Sequence, residues 1–280
     1  MINYSFPGLV GRIDRIEAFE SRYVIPRIVD IWVPPIYDVE PDTKFAVLYM
    51  HDGENLFNPA NSKFSHMDWG IDETVTRLMQ EKKIRPTIVV GMWSTEKRAI
   101  EYMPQKLIES RARNRLYSSM QDEVGGTPVS DLYLIYIVKE VKPYIDSCYR
   151  TLPDFPNTYV MGSSMGGLIS LYAACEYPRI FAGAGCVSTA FPIARGITLG
   201  YMKQFLPKAG RQKFYFDYGT RTLDKNYEHY QNKADEIMAA HGYTPDVDWI
   251  TRKFEGHKHS EVDWRKRVHI PLEFLLKFQD

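Results

Sequence analysis

The chain has 280 residues, 44% hydrophobic and 25% charged, and its 35 basic and 35 acidic side chains give a formal net charge of zero. Such a composition supplies a sizeable core and an ordinary solvated surface. It argues against nucleic acid or an anionic membrane as the main partner, and no stretch approaches the ~20 apolar residues of a membrane span.

The segment "MINYSFPGLVGRIDRIEAFE" lacks a charged start followed by a long apolar run. No signal peptide is read there, so the cytoplasm is the simplest location, although a processed exported form would look the same. Residues 11–19 and 27–33 read as an antiparallel strand pair, with Val29, Ile31 and Val33 on one face. The runs "FAVLYM" (45–50), "TIVVGM" (87–92), "TYVMG" (158–162), "FAGAGCVS" (181–188) and "KFYFDYG" (213–219) are then continuously apolar. Strands buried on both faces look like this, as in a parallel sheet covered by helices. Helical spacing recurs at about 71–83, 131–148, 165–177, 225–241 and 262–278, with Pro271 expected to kink or interrupt the last. The alternation implies a right-handed, doubly wound α/β sandwich. It is read as one domain, residues 1–280, and the polar stretch at about 93–130 as an insertion that shapes a substrate site.

"TYVMGSSMGGLISLY" carries the chemistry. Gly162-Ser163-Ser164-Met165-Gly166 fits G-x-S-x-G, a turn in which a strand stops and a helix starts with almost no loop. The central Ser164 is forced into strained angles and projects above the sheet, and small neighbours are needed because backbone and helix approach closely. The bare motif occurs by chance in many proteins. The apolar run before it, Leu168, Leu171 and Tyr172 after it, and Gly167 make Ser164 a nucleophile rather than a chance match. The Met165 N–H, at the positive end of the following helix, is a donor for an oxyanion.

A serine hydroxyl needs a base, and the base needs an orienting acid. Five histidines follow Ser164: His229, His241, His257, His259 and His269. The first two lie in a helical pattern and the last in the final helix. His257 and His259 lie in the polar loop "FEGHKHSEVDW", and composition does not choose between them. For the acid, Asp217 lies inside the strand "KFYFDYG" and Asp224 in the loop beyond it, closer to where a carboxylate reaches an imidazole, so Asp224 is preferred. "MHDGENLF" (50–57) ends the first long buried strand, and the Glu54 N–H beside Gly53 is the second expected oxyanion donor, against the plainer reading of a turn capped by Asp52.

The remaining features read as structural. His257-Lys258-His259 lacks further ligands at zinc-like spacing and places a cation between the imidazoles, so no metal is expected. Cys148, Cys175 and Cys186 each sit in an apolar stretch and read as reduced core residues. Trp69 reads as packing before pocket lining. The basic run "ESRARNRLY" (109–117) reads as a solvated surface before a contact for an anionic substrate group.

Together these stretches resemble the putative-esterase family of α/β-hydrolases, which includes feruloyl and acetyl-xylan esterases, enterochelin esterases, S-formylglutathione hydrolase and the mycolyltransferases. "GSSMGGLISLY" and "HDGENLF" are the most specific matches, and the likeness extends from "RIVDIWVPPIYD" to "GHKHSEVDWRKR". The resemblance implies an α/β-hydrolase sandwich: a mostly parallel sheet, an antiparallel N-terminal pair and helices on both faces. It implies a serine carboxylic-ester hydrolase with Ser164 as nucleophile, no cofactor, and a small-molecule ester, carbohydrate-linked, aryl or siderophore, as substrate. The family's spacing before the last helix fits Gly256, His259, Glu261 and Trp264, which implies His259 as base. In several relatives the acid comes sooner after the Gly-Thr pair, where this chain has Arg221 and Thr222, and some relatives work with a Ser–His pair alone. Two rival readings are an acyltransferase with the same residues and a catalytically silent binding protein.

Overall fold

The computed structural model describes residues 1–63, 65–106 and 113–278. The strands are β1 (Ile2–Tyr4), β2 (Arg12–Phe19), β3 (Arg27–Val33), β4 (Ala46–His51), β5 (Thr87–Met92), β6 (Thr158–Ser163), β7 (Gly183–Val187), β8 (Lys213–Gly219) and β9 (Trp249–Phe254). They form a mixed nine-stranded sheet in the order β1-β2-β3-β5-β4-β6-β7-β8-β9. Every residue of β4, β5, β6 and β7 is buried, the physical reason their sequences are apolar without alternation. The fold is the α/β-hydrolase fold that the resemblance implied.

The chain divides into two compact units. The first comprises Met1–Thr95, Tyr136–Val160 and Ser260–Asp280. Within it β1, β2 and β3 pair antiparallel, β3 pairs antiparallel with β5, and β5 pairs parallel with β4, Val47 opposite Ile88 and Tyr49 opposite Val90. The helix Ile71–Gln80 opens after Gly70, whose φ of 59° is left-handed. Asp72 lies in its first turn, where the helix N-terminus favours negative charge, and accepts Val10 N–H at 2.9 Å. Burial nevertheless raises its carboxyl to about 6. Trp69 is 3% exposed and packs on Trp264 with ring centroids 5.4 Å apart, so its place is in the packing.

The second unit comprises Glu96–Ile135 and Met161–His259, in which β7, β8 and β9 run parallel. It contains the helix Arg113–Val124, and the basic run at 109–117 falls in part on 109–112, outside the described residues. Glu123 accepts the Ala194 N–H at 3.0 Å, fastening that helix to the connection after β7.

Several elements differ from the sequence reading for identifiable reasons. β1 and β9 were not anticipated: β1 is three residues long, and β9 has only Trp249 buried, so neither shows a continuous apolar run. The helix expected over 131–148 is two helices, Ser130–Tyr136 and Lys142–Cys148, joined by a wider turn at Ile137–Val141. Pro143 stands where an unbroken α-helix would need its missing N–H. The final helix breaks at Val268 between Glu261–Arg267 and His269–Leu276, three residues before Pro271, where the proline ring would strike the carbonyl of the preceding turn. Cys175 and Cys186 are buried, but Cys148 is exposed at the last position of its helix, which corrects the reading of all three as core residues.

Candidate active site

β6 ends at Ser163 and the helix Met165–Glu176 begins at Met165, leaving Ser164 alone between them. Its φ of 58° and ψ of −120° lie in a region that side-chain-bearing residues rarely adopt and that costs on the order of 1–3 kcal/mol. The surroundings over-determine it. Ser164 N–H donates to the Val187 carbonyl at 2.9 Å, and its own carbonyl accepts the N–H groups of Gly167 (3.1 Å), Leu168 (3.2 Å) and Ala190 (3.1 Å). A methyl group on Gly162 would lie 2.8 Å from the Gly166 carbonyl carbon, and one on Gly167 would lie 3.0 Å from Thr189 Oγ1. That is why small residues flank the serine. Ser164 itself is only half-buried. Met165 is the first residue of a twelve-residue helix, so its N–H is one of those no intrahelical acceptor can reach.

β8 ends at Gly219, and residues Thr222–Asn226 form a tight turn that carries Asp224. The helix expected from 225 therefore starts at Glu228. Asp224 is 1% exposed, yet each carboxylate oxygen is occupied. Oδ2 accepts Gly219 N–H at 2.6 Å and Ser188 Oγ–H at 2.7 Å, and Oδ1 lies 2.6 Å from His259 Nδ1. Burial alone would raise this carboxyl. The hydrogen bond and charge of His259, with the Gly219 and Ser188 donors, outweigh burial and hold it below the usual aspartate value.

The two loops that carry the pair are fastened to each other by backbone. Thr220 and Arg221 N–H groups both donate to the His257 carbonyl at 3.0 Å, Gly256 N–H donates to Thr220 Oγ1 at 2.8 Å, and His259 N–H donates to Thr222 Oγ1 at 2.9 Å. A methyl group on Gly219 would come 2.3 Å from the His257 carbonyl oxygen, so only glycine lets the loops close. His257 contributes this carbonyl, and its ring lies 5.4 Å from that of Phe254; the imidazole on Asp224 is that of His259. Asp217 is wired elsewhere: Oδ1 accepts Ser188 N–H at 3.1 Å and Oδ2 accepts Tyr215 O–H at 2.9 Å. His229 is exposed beside Tyr230, and His241 Nε2 meets the Lys203 carbonyl at 3.0 Å.

Two residues that sequence reasoning passed over complete the cluster. Ser188, φ 41°, ends the β7 run and orients Asp224. Tyr227 is 7% exposed and three residues past Asp224. Its ring meets the His259 ring edge-on at 5.7 Å and 68°. Burial, with the charge of Asp224, pushes the phenol well above its usual range against the effect of Ser164, so it stays neutral. Tyr227, His259 and Asp224 thus form one connected group. The available signal for Tyr227 was its i+3 spacing from Asp224, one turn along a helical pattern.

In the first unit, Asp52 (φ 57°, ψ 49°) turns the chain after β4 into the Gly53–Asn55 turn, and its side chain makes no capping bond. A methyl group on Gly53 would lie 2.6 Å from the Gly91 carbonyl carbon. Glu54 is 2% exposed; its carboxylate accepts Ser94 N–H at 2.9 Å and the Ser94 hydroxyl, and pairs with Lys63 Nζ at 2.8 Å. The turn pairs Asn55 N–H with Asp52 and Leu56 N–H with Gly53, and leaves the Glu54 N–H outside its own pairing.

The family model described as "Putative esterase" matches residues 26–265. The chain belongs to this family. A Bacillus subtilis (strain 168) protein described as "Uncharacterized protein YbbA" is 24% identical over 181 residues, covering 65% of this chain and 61% of that protein's length. A ferulic acid esterase structure aligns with a TM-score of 0.68 at 15% identity, covering 96% of this chain and 98% of the other. The enterobactin esterase FES from Shigella flexneri aligns with a TM-score of 0.66 at 18% identity, over 96% of this chain and 60% of that one. The structural likenesses establish the shared fold. Membership in the family agrees with the resemblance read from "GSSMGGLISLY" and "HDGENLF".

Proposed function

We propose that the protein is a serine carboxylic-ester hydrolase acting through an acyl-serine intermediate. The observation that carries this reading is the strained, half-exposed Ser164 at the head of a helix, together with an imidazole held by a buried, ionised Asp224. Ser164 Oγ attacks the ester carbonyl carbon while His259 Nε2 takes its proton. The carbonyl π electrons move onto oxygen, and the N–H groups of Met165 and Glu54 are the donors proposed for that oxyanion. Collapse breaks the bond to the alcohol, which leaves with the proton from His259. Water, deprotonated by His259, then attacks the acyl-serine, and the acid departs as Oγ recovers its proton. Asp224 holds the imidazole in the tautomer with Nδ1 protonated and stabilises the imidazolium. Each oxyanion donor is worth about 3 kcal/mol of transition-state stabilisation in such sites.

Carbohydrate-linked, aryl and siderophore esters are the substrate classes this reading takes, by analogy with a ferulic acid esterase and an enterobactin esterase of the same fold. Ser164→Ala is expected to abolish hydrolysis of p-nitrophenyl acetate while leaving the circular dichroism spectrum unchanged; hydrolysis at the native rate would refute the assignment. Product analysis with an added alcohol acceptor separates hydrolysis from acyl transfer, and an unlabelled Ser164 after fluorophosphonate treatment would favour a silent binding protein.

A further inference from the structure

Thr222 holds a conformation that its side chain disfavours. Its φ of 53° is left-handed, and a β-branched residue there is an outlier, where glycine or asparagine would sit at little cost. Such residues persist only when their surroundings over-determine them. Burial does not hold Thr222, because it is exposed. Its hydroxyl does. Thr222 Oγ–H donates to the Arg221 carbonyl at 2.8 Å, and Oγ1 accepts His259 N–H at 2.9 Å. Two residues further on, Asp224 Oδ1 lies 2.6 Å from His259 Nδ1. One short turn therefore grips His259 at two points, the main chain by a hydroxyl and the ring by a carboxylate. Thr220 provides an internal comparison. Its hydroxyl accepts Gly256 N–H at 2.8 Å and donates to Glu255 Oε1 at 3.0 Å. That bond joins the same two loops, but it ends on a glycine three residues before the imidazole.

We propose that Thr222 is a positioning residue for the base His259, an inference that rests on the serine-esterase reading. An imidazole held only through Nδ1 can swing about that one bond. Holding the main-chain N–H as well fixes the Cα from which the ring projects, and the two anchors together set the direction of Nε2. The left-handed turn at 222 is what brings a hydroxyl at 222 and a carboxylate at 224 to the same residue. A strained backbone is thus kept in exchange for a fixed base, as expected where strain serves a site. Thr222 touches no reacting atom. It acts through His259, and a base displaced by about 1 Å can cost up to about 100-fold in rate. The loss belongs in kcat, since the contact with substrate in the ground state does not involve Thr222.

The test is steady-state hydrolysis of p-nitrophenyl acetate by the native chain and variants at 222 and 220. Thr222→Val keeps the size and the β-branch and removes the hydroxyl; kcat is expected to fall roughly tenfold with KM within about twofold of native. Thr222→Ser restores the hydroxyl and should return kcat to within about threefold of native. Thr222→Gly relaxes the backbone without a hydroxyl and should be as slow as Thr222→Val. Thr220→Val loses a bond of the same kind between the same loops and should keep kcat within about threefold. Proton NMR supplies a second readout. The downfield resonance of the His259–Asp224 hydrogen bond, identified by its loss in Asp224→Asn, should broaden or vanish in Thr222→Val and Thr222→Gly and persist in Thr222→Ser and Thr220→Val. A native kcat or an unchanged resonance in Thr222→Val, a serine variant as slow as the valine variant, or an equal loss from Thr220→Val would overturn the proposal. If Thr222→Val does not fold, Thr222→Gly decides, since it removes the strain together with the hydroxyl, and a native kcat there overturns the proposal. Hydrolysis that survives Ser164→Ala would overturn the esterase reading itself; an inactive Ser164→Ala beside a fully active Thr222→Val would sink this proposal alone.

Discussion

The end of β8 and the loop beyond it each bury an aspartate, and both aspartates hold on to Ser188. Asp217 takes the Ser188 N–H and the Tyr215 hydroxyl; Asp224 takes the Ser188 hydroxyl, the Gly219 N–H and an imidazole. Neither side chain meets solvent. The difference lies in what each carboxylate faces. Asp217 is surrounded by donors that belong to its own scaffold, and its hydrogen bonds fasten β8 to the end of β7. Asp224 offers one oxygen to the scaffold and the other to an imidazole, the group that gains and loses a proton in the proposed reaction. A buried carboxylate becomes chemically useful when one of its partners can titrate, and burial alone does not distinguish the two.

The largest effect that sharpens this comparison comes from Asp224→Asn. The amide can donate to His259 Nδ1 and so select the wrong tautomer, and kcat is expected to fall roughly 10³- to 10⁴-fold. Asp217→Asn should instead leave activity per folded molecule near native and lower unfolding free energy by about 1–3 kcal/mol, because the amide oxygen cannot replace both acceptor contacts. Esterase assays paired with urea titration check both; equal kinetic damage from the two variants would break the distinction. Gly219→Ala comes next. Its methyl group would enter the 2.3 Å gap to the His257 carbonyl, part the two loops and lower kcat at least tenfold, without a change in the Ser164 elbow. Ser188→Ala is expected to cost about 1–2 kcal/mol, felt as a several-fold drop in kcat, since Asp224 retains Gly219 and His259.

The smallest effect is one of pH, and it contrasts Asp224 with a third buried carboxylate, Asp72. Asp224 is held below 3.8 when folded, so its contribution to stability is present above that value and is lost as pH falls through its folded pKa. Asp72 is raised from 3.8 to about 6. Its ionised form is disfavoured in the folded state, so its part in stability is fully present below about 3.8 and is lost as pH rises through about 6. Asp72→Asn should therefore raise the unfolding free energy at pH 8, by an amount on the order of 1–3 kcal/mol, seen as a higher melting temperature, and change it little at pH 4. A destabilised variant at pH 8 would show that the Val10 hydrogen bond matters more than the buried charge.

The parts of the fold that were legible are those whose burial is continuous. β4, β5 and β8 wrote themselves into apolar runs, and the alternation of those runs with helical patterns gave the α/β class. β9 was hidden because an edge position leaves half its side chains in water, and the helix over 131–148 was joined across a proline that splits it. The Ser164 turn was legible because close approach demands glycine, which leaves a pattern in sequence. The choice between His257 and His259 could not be made from composition: the two are separated by one lysine, and what distinguishes them is which atom each presents, a backbone carbonyl from His257 and an imidazole from His259. Ser188 left no pattern, since a single hydroxyl placed by tertiary structure has no characteristic spacing, and Tyr227 offered only its i+3 spacing from Asp224.

The most direct measurement is peptide mass spectrometry of the protein quenched in acid while it turns over p-nitrophenyl butyrate. The account predicts a butyryl group on the peptide containing Ser164, absent from Ser164→Ala. A butyryl group on another residue, or turnover with no acylated peptide at all, would contradict it.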